Sequence, residues 1–169
     1  GVLSDMGGIY TLGISPGTIE RNNVLHDVYS YSYGGWGLYT DEGSTDIVLA
    51  NNVVYNTKSG GFHQHYGREN IVRNNIFAFA REANIIRSRE EEHSSFTFER
   101  NLVLTNHGEP LGGNWGNDHY TMANNVYWDT ESKDDLEFAG LSFEEWQSKS
   151  RDKDSVIADP LFRDVAKYD

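Results

Sequence analysis

The side chains with the clearest chemical potential follow short apolar runs that begin at glycines. GLYTD ends in Asp41 and is followed by Glu42, and GFHQH contains His63 and His65. Glycoside hydrolysis needs two carboxylates, because one acid protonates the leaving oxygen while the other activates water or attacks the anomeric carbon. Asp5, in SDMGG, stands one such run earlier. We therefore predict Asp5 and Asp41 as the catalytic pair, with Glu42 as the substitute for Asp41.

Between these runs the chain repeats a second motif, an apolar segment centred on an Asn–Asn or Arg–Asn pair. The copies are TIERNNVLHDV, DIVLANNVVYNT, NIVRNNIFAFA, FTFERNLVLTN and YTMANNVYWDT. They recur at intervals of roughly 25 residues, which is within the range of solenoid repeats. Because their residues are β-branched or aromatic with a period near two, each copy is expected to form short strands.

One asparagine occurs in every copy of this motif. Its positions are Asn23, Asn52, Asn75, Asn101 and Asn125. Asparagine tolerates the left-handed backbone conformation, so we expect it to turn a tight corner, and stacked asparagines form a ladder of amide hydrogen bonds. Crossovers between parallel strands are right-handed. The repeat therefore predicts an all-β chain, a right-handed parallel β-helix (a pectate-lyase-like solenoid) of about five to six turns.

Two other all-β folds compete with this prediction. A β-sandwich needs hairpins, and the turn dipeptides that close hairpins are scarce in this chain. A β-propeller needs more blades than 169 residues supply. Both are less favoured than the solenoid.

The repeat stops after residue 131, so we divide the single domain into β-helix repeats over 1–131 and a capping segment over 132–169. ESKDD, residues 131–135, is expected to be a charged loop. LSFEEWQSK predicts a short helix with Ser142 as the N-cap, Glu145 closing a capping box, and a hydrophobic staple between Leu141 and Trp146. SRDKDSVIADPLF predicts an extended tail that packs on the last turns.

Outward side chains of one sheet stack about 4.8 Å apart in such a fold, so residues from successive turns share one wall. One predicted column holds Tyr10, Tyr39, His63 and Ile86. The next holds Leu12, Asp41, His65 and Ser88. The corner beyond them carries Glu42, Tyr66, Arg89 and Trp115. We predict the substrate-binding residues to be Tyr10, Trp36, Tyr39, His63, His65, Arg87, Arg89 and Trp115.

Two parts of this wall have alternative interpretations. Arg87 and Arg89 suit forked hydrogen bonds to a substrate carboxylate or ring hydroxyl, but Arg89 also precedes EEE and would pair with it equally well. The insertion HDVYSYSYGGWG carries Tyr29, Tyr31 and Tyr33. It predicts either an aromatic sugar subsite or a small hydrophobic cluster beneath a loop.

His63 and His65 lie on one face of a strand, a spacing that also occurs in metal sites. Asp41 or Glu42 would complete a two-histidine, one-carboxylate set, for which zinc or another divalent transition ion is the candidate. The main hypothesis needs no cofactor, and this metal site is the alternative. A polysaccharide lyase is less favoured, because it needs a basic catalytic residue and Lys58 is the one lysine near the wall.

Composition argues against several other classes of protein. The formal net charge of −12 argues against nucleic acid as a partner. The chain has no cysteine, which excludes disulfides and thiolate metal sites. No apolar run approaches the ~18 residues of a membrane span, so no membrane partner is expected, and no signal peptide is visible.

Several stretches resemble the right-handed β-helix repeat proteins of bacterial polysaccharide degradation. They are GGIYTLG, GGWGLYTDEGS, NNVVYNTKSGGFHQHYGRENIVRNNIFAFA, SFTFERN and SVIADPLF. The similarity covers nearly the whole chain, rests most on DEG and GGFHQHYG, and is strongest to the branch containing glycoside hydrolase family 141. It implies a secreted enzyme, extracellular or periplasmic, that acts on plant or algal polysaccharide or oligosaccharide. It also implies that Asp5 and Asp41 fall where that branch carries its acidic pair.

A non-catalytic protein is the competing class. It would be a glycan-binding or purely structural β-helix. Because solenoid ends need polar caps, the uncapped ends of this chain also predict association with a second copy.

Overall fold

The computed structural model of the chain describes residues 2–131 and 136–167. In chain order its strands are β1 (Gly7–Thr11), β2 (Ile19–Arg21), β3 (Val24–His26), β4 (Trp36–Thr40), β5 (Ser44–Thr45), β6 (Val48–Ala50), β7 (Val53–Tyr55), β8 (Phe62–Gln64), β9 (Gly67–Arg68), β10 (Asn70–Arg73), β11 (Ile76–Ala78), β12 (Ala83–Arg87), β13 (Phe96–Glu99), β14 (Leu102–Thr105), β15 (Glu109–Gly113), β16 (Thr121–Ala123), β17 (Val126–Asp129), β18 (Glu137–Phe138), β19 (Leu141–Ser142) and β20 (Val156–Ile157). One helix, α1 (Phe143–Ser148), precedes β20, and a 3₁₀ turn covers Val165–Lys167.

Most of these strands belong to three parallel sheets. The first sheet is ordered β1-β4-β8-β12-β15, the second β2-β6-β10-β13-β16, and the third β3-β7-β11-β14-β17-β20. Each coil of the chain gives one strand to each sheet, so the protein is a parallel β-solenoid of about six turns. The fold predicted from the repeat is confirmed.

The corner between the second and third sheets differs from the prediction in one respect. The residues with positive φ there are the first of each pair, namely Asn22, Asn51, Asn74, Arg100 and Asn124. The invariant asparagine that follows has ordinary backbone angles and is free to turn its side chain inward. The predicted left-handed corner is therefore one residue earlier, and in the fourth copy an arginine adopts it.

The invariant asparagines form the predicted ladder. The backbone N–H and Nδ2 of Asn52 both donate to Oδ1 of Asn75, at 2.9 and 3.0 Å. Asn23 makes the same pair of bonds to Asn52, Asn75 to Asn101, and Asn101 to Asn125. Asn52, Asn75, Asn101 and Asn125 are buried, so these bonds satisfy polar groups that would be costly in the core without a partner.

The core consists of inward side chains that stack from coil to coil. Leu49, Val72 and Phe98 lie in register in the second sheet and are fully buried. Each such side chain contributes about 1.5–3 kcal/mol through removal of apolar surface from water. A side chain at Gly37 would place Cβ 2.2 Å from Cγ1 of Val54, so glycine allows β4 to approach the third sheet.

The helix and tail close the C-terminal end of the solenoid. Ser142 accepts from the Glu145 N–H while the Glu145 side chain accepts from the Ser142 N–H, which is the predicted capping box. Trp146 is fully buried and packs edge-on against Trp115. The tail adds β20 to the third sheet beside β17. Residues 132–135 of the predicted charged loop lie outside the described residues.

No helix in the described part of the chain has both the length and the apolar content needed to cross a membrane.

Candidate active site

The outer face of the first sheet contains a cleft of about 220 Å³. It lies over β1, β4 and β8, beside the loop that precedes β4. Its walls contain most of the acidic and aromatic residues predicted from the sequence. The lining residues are Asp5, Tyr33, Trp36, Tyr39, Asp41, Glu42, His63, His65 and Ser88.

The floor of the cleft is a stack of rings from successive coils. The register aligns Tyr10 with Tyr39 and Tyr39 with His63, as the sequence predicted. The rings of Tyr39 and His63 are stacked at 4.7 Å, and Tyr10 meets Tyr39 edge-on at 5.2 Å. Trp36 packs against the same two rings, with centroids 4.3 Å from Tyr39 and 4.4 Å from His63. Such ring pairs stabilise each other by about 0.5–1.5 kcal/mol beyond their burial, so this floor is rigid.

Burial differs among these rings, and this decides which of them a ligand can reach. Trp36 is only 6% exposed and Tyr39 only 4%, because they pack on each other. Tyr10 is 48% exposed and Tyr33 is 59% exposed. The faces available for stacking on a sugar therefore belong to Tyr10 and Tyr33, whereas Trp36, which we predicted to bind substrate, supports the floor.

Asp41 is held by two side chains. The Tyr10 hydroxyl donates to Asp41 Oδ2 at 2.6 Å, and His65 Nδ1 pairs with Asp41 Oδ1 at 2.8 Å. Burial alone would raise the pKa of Asp41, but hydrogen bonds from Tyr10, His65 and Tyr39 outweigh it and bring the pKa below its usual value. The reciprocal effect is seen in Tyr10, whose pKa its bond to Asp41 raises to about 12. Asp41 is therefore ionised at neutral pH and fixed in orientation.

Asp5 lies beside the Tyr39 hydroxyl. That hydroxyl donates to Asp5 Oδ1 at 3.3 Å and is also within hydrogen-bonding reach of Asp41. Because one oxygen adjoins both carboxylates, their nearest oxygens are within roughly 7 Å of each other. The Asp5 carboxylate also raises the pKa of Tyr33 through a hydrogen bond. The structure therefore brings the two predicted catalytic carboxylates together, and Glu42 is exposed at the rim.

His63 is a neutral side chain in this cleft. Its Nε2 pairs with Ser88 Oγ at 2.6 Å, while its Nδ1 is buried without a hydrogen-bond partner. Burial, reinforced by His65 nearby, lowers the pKa of His63 to about 3. Because Asp41 engages His65 Nδ1 and Ser88 engages His63 Nε2, the two imidazoles are committed to different partners. Residues 2–131 and 136–167 contain no group of three or more His, Asp or Glu side chains arranged to hold a metal ion.

Arg87 does not lie on this wall, and its predicted position there is wrong. It is fully buried, and its guanidinium donates to Ser95 Oγ, Asn117 Oδ1 and the Asn114 carbonyl inside the solenoid. The reason is strand alternation. Ile86 aligns with the outward His63, so its neighbour must point inward. The alternation of β12 could have given this orientation from the sequence.

Trp115 and Arg89 are also separate from the cleft. Trp115 is buried in the core, where its Nε1 donates to the Gly112 carbonyl at 2.9 Å. The Arg89 guanidinium lies 4.9 Å from the centre of the Tyr66 ring, on the exposed corner beyond the cleft. The predicted roles of these two residues in substrate binding therefore have no support from their positions.

Sequence reasoning placed Asp41, His65 and Ser88 in one column but did not find their partners. The pairing of Asp41 with His65, and of Ser88 with His63, depends on side-chain rotamers across neighbouring coils. The available signal was the register itself, since residues in adjacent coils of one face lie within hydrogen-bonding reach.

A larger cleft of about 690 Å³ lies at the corner after the third sheet. Among its described lining residues, Glu131 is the one carboxylate, and it pairs with His107 at 3.3 Å. That cleft does not bring two carboxylates together, so the smaller cleft on the first sheet is the better candidate for acid–base chemistry.

The fold and this cleft define a parallel β-solenoid with an acidic, ring-lined site on one outer face. Comparison with protein-family models, with curated proteins and with solved structures gave no match in any of the three.

Proposed function

We propose that the chain is a carbohydrate-active enzyme, a glycoside hydrolase that cleaves polysaccharide or oligosaccharide in the cleft on the first sheet. The observation that carries this proposal is the pair of carboxylates, Asp5 and Asp41, that line one cleft beside the Tyr39 hydroxyl. A separation of up to roughly 7 Å suits two carboxyl groups acting on one glycosidic bond.

The environment of each carboxylate suggests its role. Asp41 has a lowered pKa and is fixed by Tyr10 and His65, so it would act in the ionised form, as the base that activates water or as the nucleophile. Two hydrogen bonds leave lone pairs of its carboxylate available for this step. Asp5 would protonate the leaving oxygen, and Glu42, the substitute for Asp41, lies at the rim. The exposed faces of Tyr10 and Tyr33 would stack on the sugar rings.

The test is release of product from aryl glycosides and plant or algal polysaccharides between pH 4 and 8. We expect the native chain to release product and Asp41→Asn to lose about 100-fold or more, the usual contribution of a general acid or base. Asp154→Asn is the matched control, because Asp154 is exposed, lies in the tail, and has a φ of 58° that asparagine also adopts. Absence of release by the native chain at every pH would end the hydrolase proposal.

A non-catalytic glycan-binding module is the second candidate. The observation in its favour is that both oxygens of Asp41 already accept hydrogen bonds within the protein. Binding measured by calorimetry separates the two candidates. A non-catalytic module would bind a glycan without releasing product, and Asp41→Asn would change only its affinity for that glycan.

A further inference from the structure

We propose that the cleft takes a glycan that carries free amino groups, such as a polymer of 2-amino-2-deoxy sugars, in preference to uronic acid or sulfated glycans. This inference rests on the proposed carbohydrate site, and it names the class of sugar that fits there.

The charge of the lining is the first step of the argument. Three carboxylates face the cleft, those of Asp5, Asp41 and Glu42, and no lysine or arginine is among its described lining residues. Arg87 is turned into the core and Arg89 lies over Tyr66. The chain as a whole carries a formal net charge of −12. His65, the other lining residue that can carry a positive charge, is already paired with Asp41 at 2.8 Å. An anionic sugar would therefore meet like charges without a free cation to pair with, whereas an ammonium group would be attracted.

The rings of the cleft supply the second step. Tyr10 and Tyr33 are the exposed rings beside the carboxylates, and ring faces attract an ammonium within about 6 Å of their centres. The raised pKa values of Tyr10 and Tyr33, caused by their hydrogen bonds to Asp41 and Asp5, reflect the same negative potential. Carboxylates and aromatic rings together form the usual surroundings of a bound amine.

His63 provides an independent observation. It lines the cleft, is only 4% exposed, and leaves its buried Nδ1 without a hydrogen-bond partner among the described residues. A buried polar atom without a partner costs about 1–3 kcal/mol. A sugar hydroxyl both donates and accepts, so it suits Nδ1 in either tautomer of the imidazole. Because His63 is neutral, it adds no positive charge that would oppose an ammonium group.

The experiment is calorimetric titration of the full chain with four tetrasaccharides at pH 6 and low salt. The probes are the β-1,4-linked tetramer of glucosamine, its N-acetylated form, a glucose tetramer and a galacturonate tetramer. We expect the glucosamine tetramer to bind at least ten-fold more tightly than the N-acetylated form and the galacturonate tetramer to bind most weakly. The advantage of the amine should shrink as salt screens the charges.

The matched variants are Glu42→Gln and Asp154→Asn. Both positions are exposed, so neither change should disturb folding, which circular dichroism would verify. Glu42→Gln should weaken binding of the glucosamine tetramer about five-fold and that of the glucose tetramer distinctly less, and Asp154→Asn should change neither. Equal affinity for the free and acetylated amines, tighter binding of galacturonate, or no binding of the glucosamine tetramer would each overturn the inference.

This inference and the hydrolase proposal fail separately. Selective binding of the glucosamine tetramer without product release would support the amine site and contradict the hydrolase proposal. Hydrolysis of neutral glycans without any preference for amines would do the reverse.

Discussion

The two ends of the solenoid finish the same stack of coils in different ways. At the C-terminal end the ladder donors of Asn125 are received by Ser155 Oγ and Asp152 Oδ1, and α1 covers the core with the buried Trp146. At the N-terminal end Ile14, Ile19 and Val24 are exposed, and the edges of β1, β2 and β3 have no further strand in the described chain. One end is closed by its own tail, and the other presents an open edge.

Each end also places an acid in line with the core. Glu20 aligns with Leu49 and so occupies an inward position in the first coil, with its buried Oε1 lacking a partner. Asp152 is fully buried beyond the last rung, with Oδ2 lacking a partner. Burial raises the pKa of both carboxyl groups, that of Glu20 to about 7. The acid at the closed end therefore has a structural role, because it ends the ladder, whereas the acid at the open end has a buried Oε1 without a partner among the described residues.

The direction of the ladder bears on self-association. Each asparagine donates to the rung that follows it, so the first described rung, Asn23, has its donors used and its own Oδ1 available as an acceptor. Two copies joined open end to open end would set acceptor against acceptor. The dimer predicted from the bare ends stays a prediction, and this arrangement is the least favoured way to build it.

The largest effect should come from truncating Trp146, the buried side chain of α1 at the closed end. Trp146→Ala deletes a fully buried side chain that packs on Trp115, Tyr120 and Phe138, so we expect a loss of about 3–5 kcal/mol in the free energy of unfolding. Urea denaturation would measure it. Trp128→Ala is the control, because Trp128 is only half-buried and should cost distinctly less. Equal losses for the two variants would mean that α1 does not close the core.

A smaller effect, a gain in the free energy of unfolding, is expected when Asp152 at the closed end is replaced. Asp152 has a raised pKa, so its carboxyl group binds a proton more tightly in the folded state than in the unfolded state. The contribution of this proton to folding stability is complete at low pH and is lost as the pH rises through the pKa of the folded state. Asp152→Asn should therefore stabilise the protein by about 1–3 kcal/mol at pH 7, the usual cost of a buried polar atom without a partner, and have little effect near pH 3.

Thermal melting across this pH range would test the prediction. Asparagine adopts the φ of 55° found at Asp152 and can still accept the bond from Asn125, so the ladder should survive. Asp154→Asn, with a φ of 58° and an exposed side chain, should leave the melting curve unchanged. Destabilisation by Asp152→Asn at pH 7 would show that the ionised carboxylate is needed to end the ladder.

The smallest effect belongs to the open end. The pKa of Glu20 is raised from its ordinary 4.5 to about 7, so stability should fall as the pH rises through that interval. Glu20→Gln should raise the free energy of unfolding by about 1 kcal/mol at pH 8 and leave it unchanged near pH 4, the modest size following from partial exposure of the side chain. The exposed Glu109→Gln is the control, measured in the same denaturation series. An effect that does not depend on pH would show that titration of a buried Glu20 carboxyl group does not contribute to stability.

Much of the fold was predictable, because the same sequence pattern, and therefore the same local structure, occurs in several copies. The invariant asparagine identified the coil and its ladder, and Ser142 with Glu145 identified the helix start. The left-handed residue was misplaced by one position because both members of an Asn pair tolerate that conformation. The Arg100–Asn101 copy held the answer, since only its second member can extend an amide ladder.

Site residues that share a column through strand register were predicted correctly, whereas the burial of Arg87 was not predicted. Tyr10, Tyr39 and His63 were placed in one column by alignment of the coils alone. Arg87 was misassigned because it was placed with the outward residues although it alternates with Ile86, and inside the solenoid Ser95 and Asn117 accept its hydrogen bonds. The alternation of β12 gives the inward direction of Arg87, whereas its hydrogen-bond partners lie in other segments of the chain and are shown by the structure alone.

The sequence by itself determined the coil, its period, its asparagine ladder and the side chains available to the outer face of the first sheet. These follow from local rules, strand alternation and turn preference, that act over a few residues. Only the tertiary structure decided that Asp41 is bound by Tyr10 and His65, and that the Tyr39 hydroxyl donates to Asp5. Those relations join residues of different coils, and their strength depends on the burial and orientation that stacking creates.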